Sequence, residues 1–447
     1  MTIDFAGVRR SSQLFFLIGL SALVIACSGT SSTKKTPLSG ERISVLAFEQ
    51  ELRPDPRISD VKVVLPPPYV NRNWSQGGGN SSNVHHHLAV GRDLEVAWRR
   101  SIGANASRTK RYVSAPVIAQ GTLYAIDSNA TVSAFDAIDG REVWKLRLSA
   151  EREKKASAFG GGIAVGSNFV FATTGYGFVV GININSGEEV WRQYLNIPLR
   201  GSPGYADGRL FVVTQDNQLF ALDADTGNII WDHVGIVENA GILGTATPAV
   251  SGSTIITAYS SGELYALLAE NGRVAWSDTL SRTGRLTSLS TLSDIDGNPV
   301  VDRGQVFAIS HAGRMAAIDL TSGARLWENN VGSVSTPWVA GDYIYVLTTE
   351  NALVCLTRRD GRVRWVRPLQ RFAKVSKKKG PITWQGPVLV SDRLLVASSH
   401  GYLLSISPYT GEILGGEKFS TGTFVPPVVA DQTVYLLSQN GDVIAYR

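Results

Sequence analysis

The chain has 447 residues, of which 43% are hydrophobic and 18% are charged, and its formal net charge is +5. That length and apolar content allow a large buried core. The modest charge, without a basic helical segment or an RNA-binding signature, argues against a protein dedicated to nucleic acid.

The first 26 residues are predicted to be a signal peptide. Arg9 and Arg10 precede an apolar run at residues 14–26, which is too short for a membrane span. The run ends in Leu-Val-Ile-Ala before Cys27, which resembles the lipobox of bacterial lipoproteins. That resemblance implies acylation of Cys27 and, because Ser28 follows, sorting to the outer membrane. The alternatives are an ordinary secretory signal with an incidental cysteine and a twin-arginine signal that includes Arg9 and Arg10.

Residues 27–92 are predicted to be a flexible, lipid-anchored tether. Residues 28–39 are small and polar, residues 66–68 are three prolines, and residues 76–82 are rich in Gly, Asn and Ser. Three consecutive histidines at residues 85–87 could bind a metal opportunistically. They lack neighbouring acidic or cysteine ligands, so no metal site is predicted there.

One motif recurs along the rest of the chain: a glycine, three residues and a tryptophan. Successive copies lie roughly 40–50 residues apart, a period typical of four-stranded propeller blades. Short runs of β-branched and aromatic residues lie between the copies, separated by Ser-Gly and Asn-Gly turns, as strands joined by hairpins require. The copies are Gly140 with Trp144, Gly187 with Trp191, Gly227 with Trp231, Gly272 with Trp276, Gly323 with Trp327, and Gly361 with Trp365.

The two ends of the array are complementary. The last repeat supplies three strands and stops, whereas residues 94–102, with Trp98, supply an isolated fourth strand. We therefore predict that residues 93–447 form an all-β, eight-bladed propeller of four-stranded antiparallel blades, with the last blade closed by the N-terminal strand. An open solenoid would explain the period but not the complementary ends.

The repeated tryptophans are predicted to be structural. A buried indole contributes strongly to the packing between blades, and a role in stacking on a cofactor is the weaker alternative. A seventh glycine, Gly411, is followed by Gly415 where a tryptophan should stand, so one junction should have less aromatic packing. The residues assigned to blade docking are Trp98, Trp144, Trp191, Trp231, Trp276, Trp327 and Trp365.

No catalytic site is predicted. The sequence has no His-Glu-x-x-His motif, nucleophile elbow or phosphate-binding loop, and its carboxylates fall mostly at strand ends or in turns. We therefore expect no enzyme activity, cofactor or metal. Cys355 is the one cysteine after Cys27, so it cannot form an intramolecular disulfide in the mature chain, and its apolar neighbours predict a buried strand position.

Basic residues cluster between the blades. In a four-stranded blade, the connection to the next blade emerges on the same face as the blade's central hairpin. Arginine and lysine are concentrated in four such connections, at residues 108–111, 152–155, 282–285 and 371–379. One face is therefore predicted to be electropositive and to dock on an acidic protein surface or anionic lipid. The alternative is a set of loops that is simply solvated.

Three features together resemble the BamB family, the lipoproteins of the outer-membrane β-barrel assembly machinery. They are the lipobox, the quinoprotein-like blades and the segment Leu-Ser-Asp-Ile-Asp-Gly-Asn-Pro-Val-Val at residues 292–301. The resemblance implies a non-catalytic scaffold, monomeric within a hetero-complex, that binds the POTRA domains of BamA on the periplasmic side of the outer membrane. It places partner contacts on Asp294 and Asp296, and on Ile242 and Leu243, where leucine replaces the family's arginine.

Two other functions compete with this one. A quinoprotein dehydrogenase with pyrroloquinoline quinone and calcium would share the repeats. Its resemblance implies an adjacent-cysteine disulfide, which a single free cysteine cannot form, and a calcium ligand set that is not recognisable here. The second alternative is an envelope propeller that binds glycan or peptide.

Overall fold

Eight four-stranded antiparallel sheets form the blades of a propeller, which confirms the predicted fold class. The computed structural model describes residues 52–106, 111–150, 160–237, 246–281 and 293–447. Helical structure in these ranges is limited to short 3-10 turns such as Pro56–Ile58 and Val375–Lys377. None of the described helices is long and apolar enough to cross a membrane.

Each blade has an inner strand at the hub, two middle strands and an outer strand at the rim, and the inner strand has three residues except in blade 7, where it has seven. Blade 1 contains Val117–Ala119, Thr122–Ile126, Thr131–Asp136 and Glu142–Arg147; blade 2 contains Ile163–Val165, Phe169–Thr173, Phe178–Asn183 and Glu189–Tyr194. Blade 3 contains Gly204–Ala206, Arg209–Val213, Gln218–Asp223 and Ile229–Val234; blade 4 contains Ala249–Ser251, Thr254–Ala258, Glu263–Leu268 and Val274–Thr279.

The second half of the ring repeats this plan. Blade 5 contains Val300–Asp302, Gln305–Ile309, Met315–Asp319 and Arg325–Asn329; blade 6 contains Trp338–Ala340, Tyr343–Leu347, Ala352–Thr357 and Val363–Pro368. Blade 7 contains Trp384–Val390, Arg393–Ser398, Tyr402–Ile406 and Ile413–Lys418; blade 8 contains Val428–Ala430, Thr433–Leu437, Asp442–Tyr446 and Val96–Ser101. The middle strands are mostly buried because neighbouring blades cover both of their faces, whereas the outer strands are largely exposed.

Both chain ends meet in blade 8, which confirms the predicted closure. Its outer strand, Val96–Ser101, pairs antiparallel with Asp442–Tyr446, and Trp98 lies opposite Ala445. Backbone hydrogen bonds between Glu95 and Arg447 extend the pairing at 2.8 and 2.9 Å. Because one blade needs strands from both ends of the chain, the ring has no open sheet edge at its seam.

The tryptophan of each motif packs on the glycine of the next blade's motif. At one joint, a Cβ added to Gly323 would lie 2.6 Å from Cγ of Trp276, so only glycine fits beneath the ring. The indole Nε1 of Trp276 also donates to the carbonyl of Leu320, at 2.8 Å. The same ring-on-glycine contact joins Trp98 to Gly140, Trp144 to Gly187, Trp191 to Gly227, Trp231 to Gly272, Trp327 to Gly361 and Trp365 to Gly411, and each indole donates to a backbone carbonyl.

The missing tryptophan at Gly415 has a geometric cause. Its ring would have to cover a glycine turn between the third and outer strands of blade 8. Those strands come from opposite ends of the chain, so the turn does not exist, and Leu94 holds the glycine position. A Cβ on Gly415 would have no neighbour within 4 Å, so this junction has the reduced aromatic packing that the sequence predicts.

Residues 52–92 differ from the flexible tether that their composition predicts, because they fold onto the propeller. Trp74 is 4% exposed and Leu88 is fully buried, both within the core cluster of blades 6, 7, 8 and 1. Asp55 N donates to the carbonyl of Val363 at 2.8 Å, at the rim of blade 6. Burial of these apolar side chains stabilises the ordered path, which the polar and proline-rich composition conceals.

Residues 71–88, here called the hub segment, hydrogen-bond to all eight blades in ring order. The segment therefore winds once around the hub and closes the central channel with backbone. Its contacts are Asn71 with Asp431 beside the inner strand of blade 8, Trp74 with Ile118 of blade 1, Ser75 with Val165 of blade 2, Gln76 with Tyr205 of blade 3, Ser81 with Val250 of blade 4, Ser82 with Val301 of blade 5, His86 with Trp338 of blade 6, and Leu88 with Leu389 of blade 7.

Glycines in the hub segment allow close approach rather than flexibility. A Cβ on Gly77 would lie 2.6 Å from Oγ1 of Thr247. The neighbouring histidines are structural as well: the ring of His85 stacks on Trp74 at 4.1 Å between centroids, and Nδ1 of His87 lies 2.7 Å from the carbonyl oxygen of Pro66. Among the described residues, no group of three or more metal-type side chains comes together.

Candidate docking face

One side of the propeller, here called the connection face, carries all the connections between blades and the hairpins between second and third strands. This follows from the antiparallel order of four strands, which returns each outer strand to the side where the next inner strand begins. Asp294 and Asp296 lie in the connection from blade 4 to blade 5. Ile242 and Leu243 belong to the connection from blade 3 to blade 4 and lie outside the described residues.

The side chain of Asp294 lies inside the connection face rather than on it. It is 1% exposed, and the next residue, Ile295, is buried in the core between blades 4 and 5. The carbonyl of Asp294 accepts a hydrogen bond from the backbone N–H of His311 at 2.8 Å. A partner could reach this carboxylate only if the loop rearranged.

Asp296 is better placed to meet a ligand, because it lines the central cavity. Its Oδ2 atom is buried and has no hydrogen-bond partner among the described residues. Burial raises the pKa of Asp296 to about 8, and the charge of Asp294 adds to this shift. The carboxyl group is therefore mostly protonated at neutral pH and can donate as well as accept a hydrogen bond.

The central cavity has a volume of about 560 Å³ and lies on the connection-face side of the hub segment. Its wall comes from residues just before the inner strands, such as Ser114 and Ser202, whose hydroxyl oxygens lie 2.9 Å apart. Its floor comes from the hub segment, with Trp74, Asn83 and His85. The cavity is thus a funnel that the hub segment closes at the bottom.

Unsatisfied polar atoms are concentrated around this cavity. Trp74 Nε1, Asn83 Oδ1, His85 Nδ1 and His311 Nδ1 are all buried without a hydrogen-bond partner among the described residues. His85 Nε2 lies 2.8 Å from the carbonyl of Gly78 and must donate to it, so Nδ1 is an acceptor, and burial lowers the His85 pKa to about 4. A floor that contains the Trp74 ring and the neutral His85 ring, with free donors and acceptors around it, suits the docking of a polar group.

The cavity floor was missed by sequence reasoning. The composition of residues 76–82 is typical of a linker, and composition does not reveal close packing at a hub. The one signal in the sequence was Trp74, a large aromatic residue that a solvated tether would leave exposed. Cys355, in contrast, is fully buried in a middle strand of blade 6, as its apolar neighbours predicted.

The basic connections are only partly described. Arg111 stacks over the ring of Phe424 at 4.5 Å, at the rim of the cavity. Residues 371–379 belong to an ordered hairpin. The remaining basic positions, at residues 108–110, 152–155 and 282–285, lie outside the described residues.

Residues 128–367 match the family model described as "Outer membrane protein assembly factor BamB". The match spans 367 − 128 + 1 = 240 residues, more than half of the chain. The chain belongs to the BamB family. The hub segment precedes the matched region.

Curated relatives and solved structures agree with this family. The BamB proteins of Moranella endobia and Escherichia coli K12 are 25% and 28% identical over 354 and 355 residues, which cover 78% of this chain and 89% and 87% of theirs. The crystal structure of Moraxella catarrhalis BamB has a TM-score of 0.66 at 18% identity and covers 79% of this chain and 100% of that one. A europium-containing methanol dehydrogenase has a TM-score of 0.65 at 14% identity, with 81% and 89% covered. At these identities the structural likeness establishes the fold alone.

Proposed function

We propose that the protein is a non-catalytic scaffold lipoprotein of the outer-membrane β-barrel assembly complex. It binds the POTRA domains of BamA through its connection face and assists the folding and insertion of outer-membrane proteins. Membership of the BamB family carries this proposal. Acylated Cys27 holds the protein at the outer membrane, facing the periplasm, as one copy within a hetero-complex.

Two features of the connection face support docking there. Its centre is a funnel with free polar atoms, which can accept a group from a partner. The 294–298 segment, which carries the proposed contact Asp296, is held by hydrogen bonds from Thr247 N to Asn298 Oδ1 at 2.7 Å and from Asn298 N to Thr336 Oγ1 at 3.0 Å. A site held in place before binding loses less conformational entropy when the partner arrives.

Co-purification with BamA tests the docking proposal. Asp296→Arg should weaken recovery of BamA, because it replaces a carboxyl group in the funnel with a large cation, and the paired change Ile242→Asp with Leu243→Asp should do the same at the second contact. Asp225→Arg is the matched control, since Asp225 is an exposed carboxylate in a turn on the opposite face. Asp294→Arg is unsuitable, because it would bury an unpaired charge and destabilise the fold.

Each result of this experiment has one interpretation, provided that circular dichroism shows folded variants. Loss of BamA with Asp296→Arg or with the paired Ile242 and Leu243 variant, but not with the control, supports docking through this face. Undiminished recovery with all of them would refute the site. Labelling with radioactive palmitate, abolished by Cys27→Ser, tests the lipid anchor independently.

A further inference from the structure

One stretch of the chain carries positive charge without any negative charge. Between Asp360 and Asp392 there is no aspartate or glutamate. The same stretch has eight basic residues: Arg362, Arg364, Arg367, Arg371, Lys374, Lys377, Lys378 and Lys379. It forms the end of blade 6 and the whole connection to blade 7, so it emerges on the connection face.

Residues 371–382 form an ordered projection, here called the basic hairpin. Phe372–Lys374 pairs antiparallel with Lys379–Pro381 as a two-stranded sheet separate from every blade, and the turn Val375–Lys377 joins the two strands. The base is fixed to the propeller, because Trp384 Nε1 donates to the carbonyl of Gln370 at 3.0 Å. The charge is therefore presented on a defined element.

The tip of the basic hairpin combines lysines with an exposed apolar side chain. Residues 373–381 are all exposed, and Val375 is 67% exposed at the turn. Lys378 adopts a left-handed conformation with φ +46, which is unfavourable for any residue with a Cβ. Arg362 forms ion pairs with Asp55 and Asp360, whereas none of the four hairpin lysines pairs with a carboxylate among the described residues.

We propose that the basic hairpin binds the anionic phospholipid surface of a bilayer. Lysines next to such a surface are attracted by its negative potential, and an exposed apolar residue among them can enter the headgroup region. All four cations at the tip are lysines, which are depleted at protein–protein interfaces, whereas the planar arginine that such interfaces favour is absent from the tip. A lipid surface therefore fits the hairpin better than an acidic protein surface.

The contact between the basic hairpin and lipid does not depend on docking to BamA. An experiment can therefore refute either proposal without refuting the other. Each lysine near an anionic bilayer contributes about a fivefold factor in binding, which corresponds to about 1 kcal/mol. Neutralising three lysines should therefore lower the affinity of the hairpin for the surface about 100-fold. Raising the salt concentration should also lower this affinity, because salt screens exposed charges.

The test uses the full lipoprotein reconstituted on vesicles, with an environment-sensitive fluorophore on Ser376→Cys at the hairpin tip. Cys355 is fully buried and should stay unlabelled. With phosphatidylglycerol vesicles we expect a blue shift and quenching by spin-labelled lipid, and with phosphatidylcholine vesicles neither. The triple variant Lys377→Gln, Lys378→Gln, Lys379→Gln should abolish both signals, and Val375→Ser should reduce them.

A matched control removes the same charge elsewhere. Arg141→Gln, Arg273→Gln and Arg359→Gln neutralise three exposed cations in turns on the opposite face, and should leave the tip signal intact. Equal signals on both lipids, an unaffected hairpin variant, or equal loss in the control would overturn the proposal. A tip signal that appears only after purified POTRA domains are added would overturn it too, in favour of a protein contact.

Discussion

The joint between blades 4 and 5 allows a direct measurement of why the motif needs glycine. Blade 5 has two glycines with nearly the same left-handed backbone, Gly304 with φ +73 and Gly323 with φ +72. A Cβ on Gly304 would meet nothing within 4 Å, whereas on Gly323 it would lie 2.6 Å from Trp276. The two alanine variants therefore share the backbone strain and differ in the contact with the indole.

The expected cost follows from these two terms. Alanine in the left-handed region costs about 1–2 kcal/mol, and this should be the whole effect of Gly304→Ala. Gly323→Ala adds the overpacking against Trp276, which costs about 1–3 kcal/mol more because the ring and its hydrogen bond to Leu320 must move. Gly323→Ala should then destabilise the protein by about 2–5 kcal/mol in total.

Urea unfolding followed by far-ultraviolet circular dichroism and tryptophan fluorescence gives both free energies of unfolding. In a Trp276→Ala background, the extra cost of Gly323→Ala should shrink, because the Cγ and Cδ2 atoms of Trp276, which would lie 2.6 and 2.9 Å from the added Cβ, are absent. Equal destabilisation by Gly304→Ala and Gly323→Ala, or an undiminished effect of Gly323→Ala in the Trp276→Ala background, would refute the steric account of the motif.

Three further predictions concern the hub and the core. Trp74→Ala should lower the free energy of unfolding by about 3–5 kcal/mol, because it empties a buried site against His85; an unchanged urea midpoint would mean that the hub segment adds no stability. The folded-state pKa of Asp296, about 8, lies above its ordinary value of 3.8, so stability should fall as pH rises from about 4 to 8 and the carboxyl group is forced to ionise. The free energy of unfolding of Asp296→Asn should therefore rise relative to that of the parent protein over this range, by at most about 1.4 kcal/mol per pH unit, while Asp225→Asn should show no such rise in urea titrations at several pH values. Burial raises the pKa of the Cys355 thiol, so Ellman's reagent should react with it only after unfolding, and rapid reaction in the native state would contradict its position.

Much of the architecture could be read from spacing. The glycine and tryptophan positions repeat at a blade-length period, and the partial repeats at both ends specify closure through Trp98. The spacing did not reveal which tryptophan contacts which glycine. The glycine and tryptophan of one motif serve different joints, because each ring covers the glycine of the following blade. That pairing depends on how blades stack.

The site was less predictable than the fold. The acidic pair fell on a connection, as expected, but sequence does not distinguish an exposed carboxylate from a buried one. Asp294 is buried beside Ile295, and Asp296 lines the funnel. The two carboxylates differ in environment because of the path of the connection, and only the packing of blades 4 and 5 defines that path.

By itself, the sequence determined the number of blades, the seam in blade 8 and the structural role of the tryptophans, since these depend on period and on residue type. Only the tertiary structure decided the path of residues 71–88. In the sequence, their glycines are typical of a flexible tether. At the hub, however, eight inner strands present hydrogen-bonding groups at close range. A segment with small side chains can approach each strand and bond to it in turn. The physical reason is that composition predicts the flexibility of an isolated segment, whereas hydrogen bonds and close packing with the inner strands of the ring hold this segment in one path.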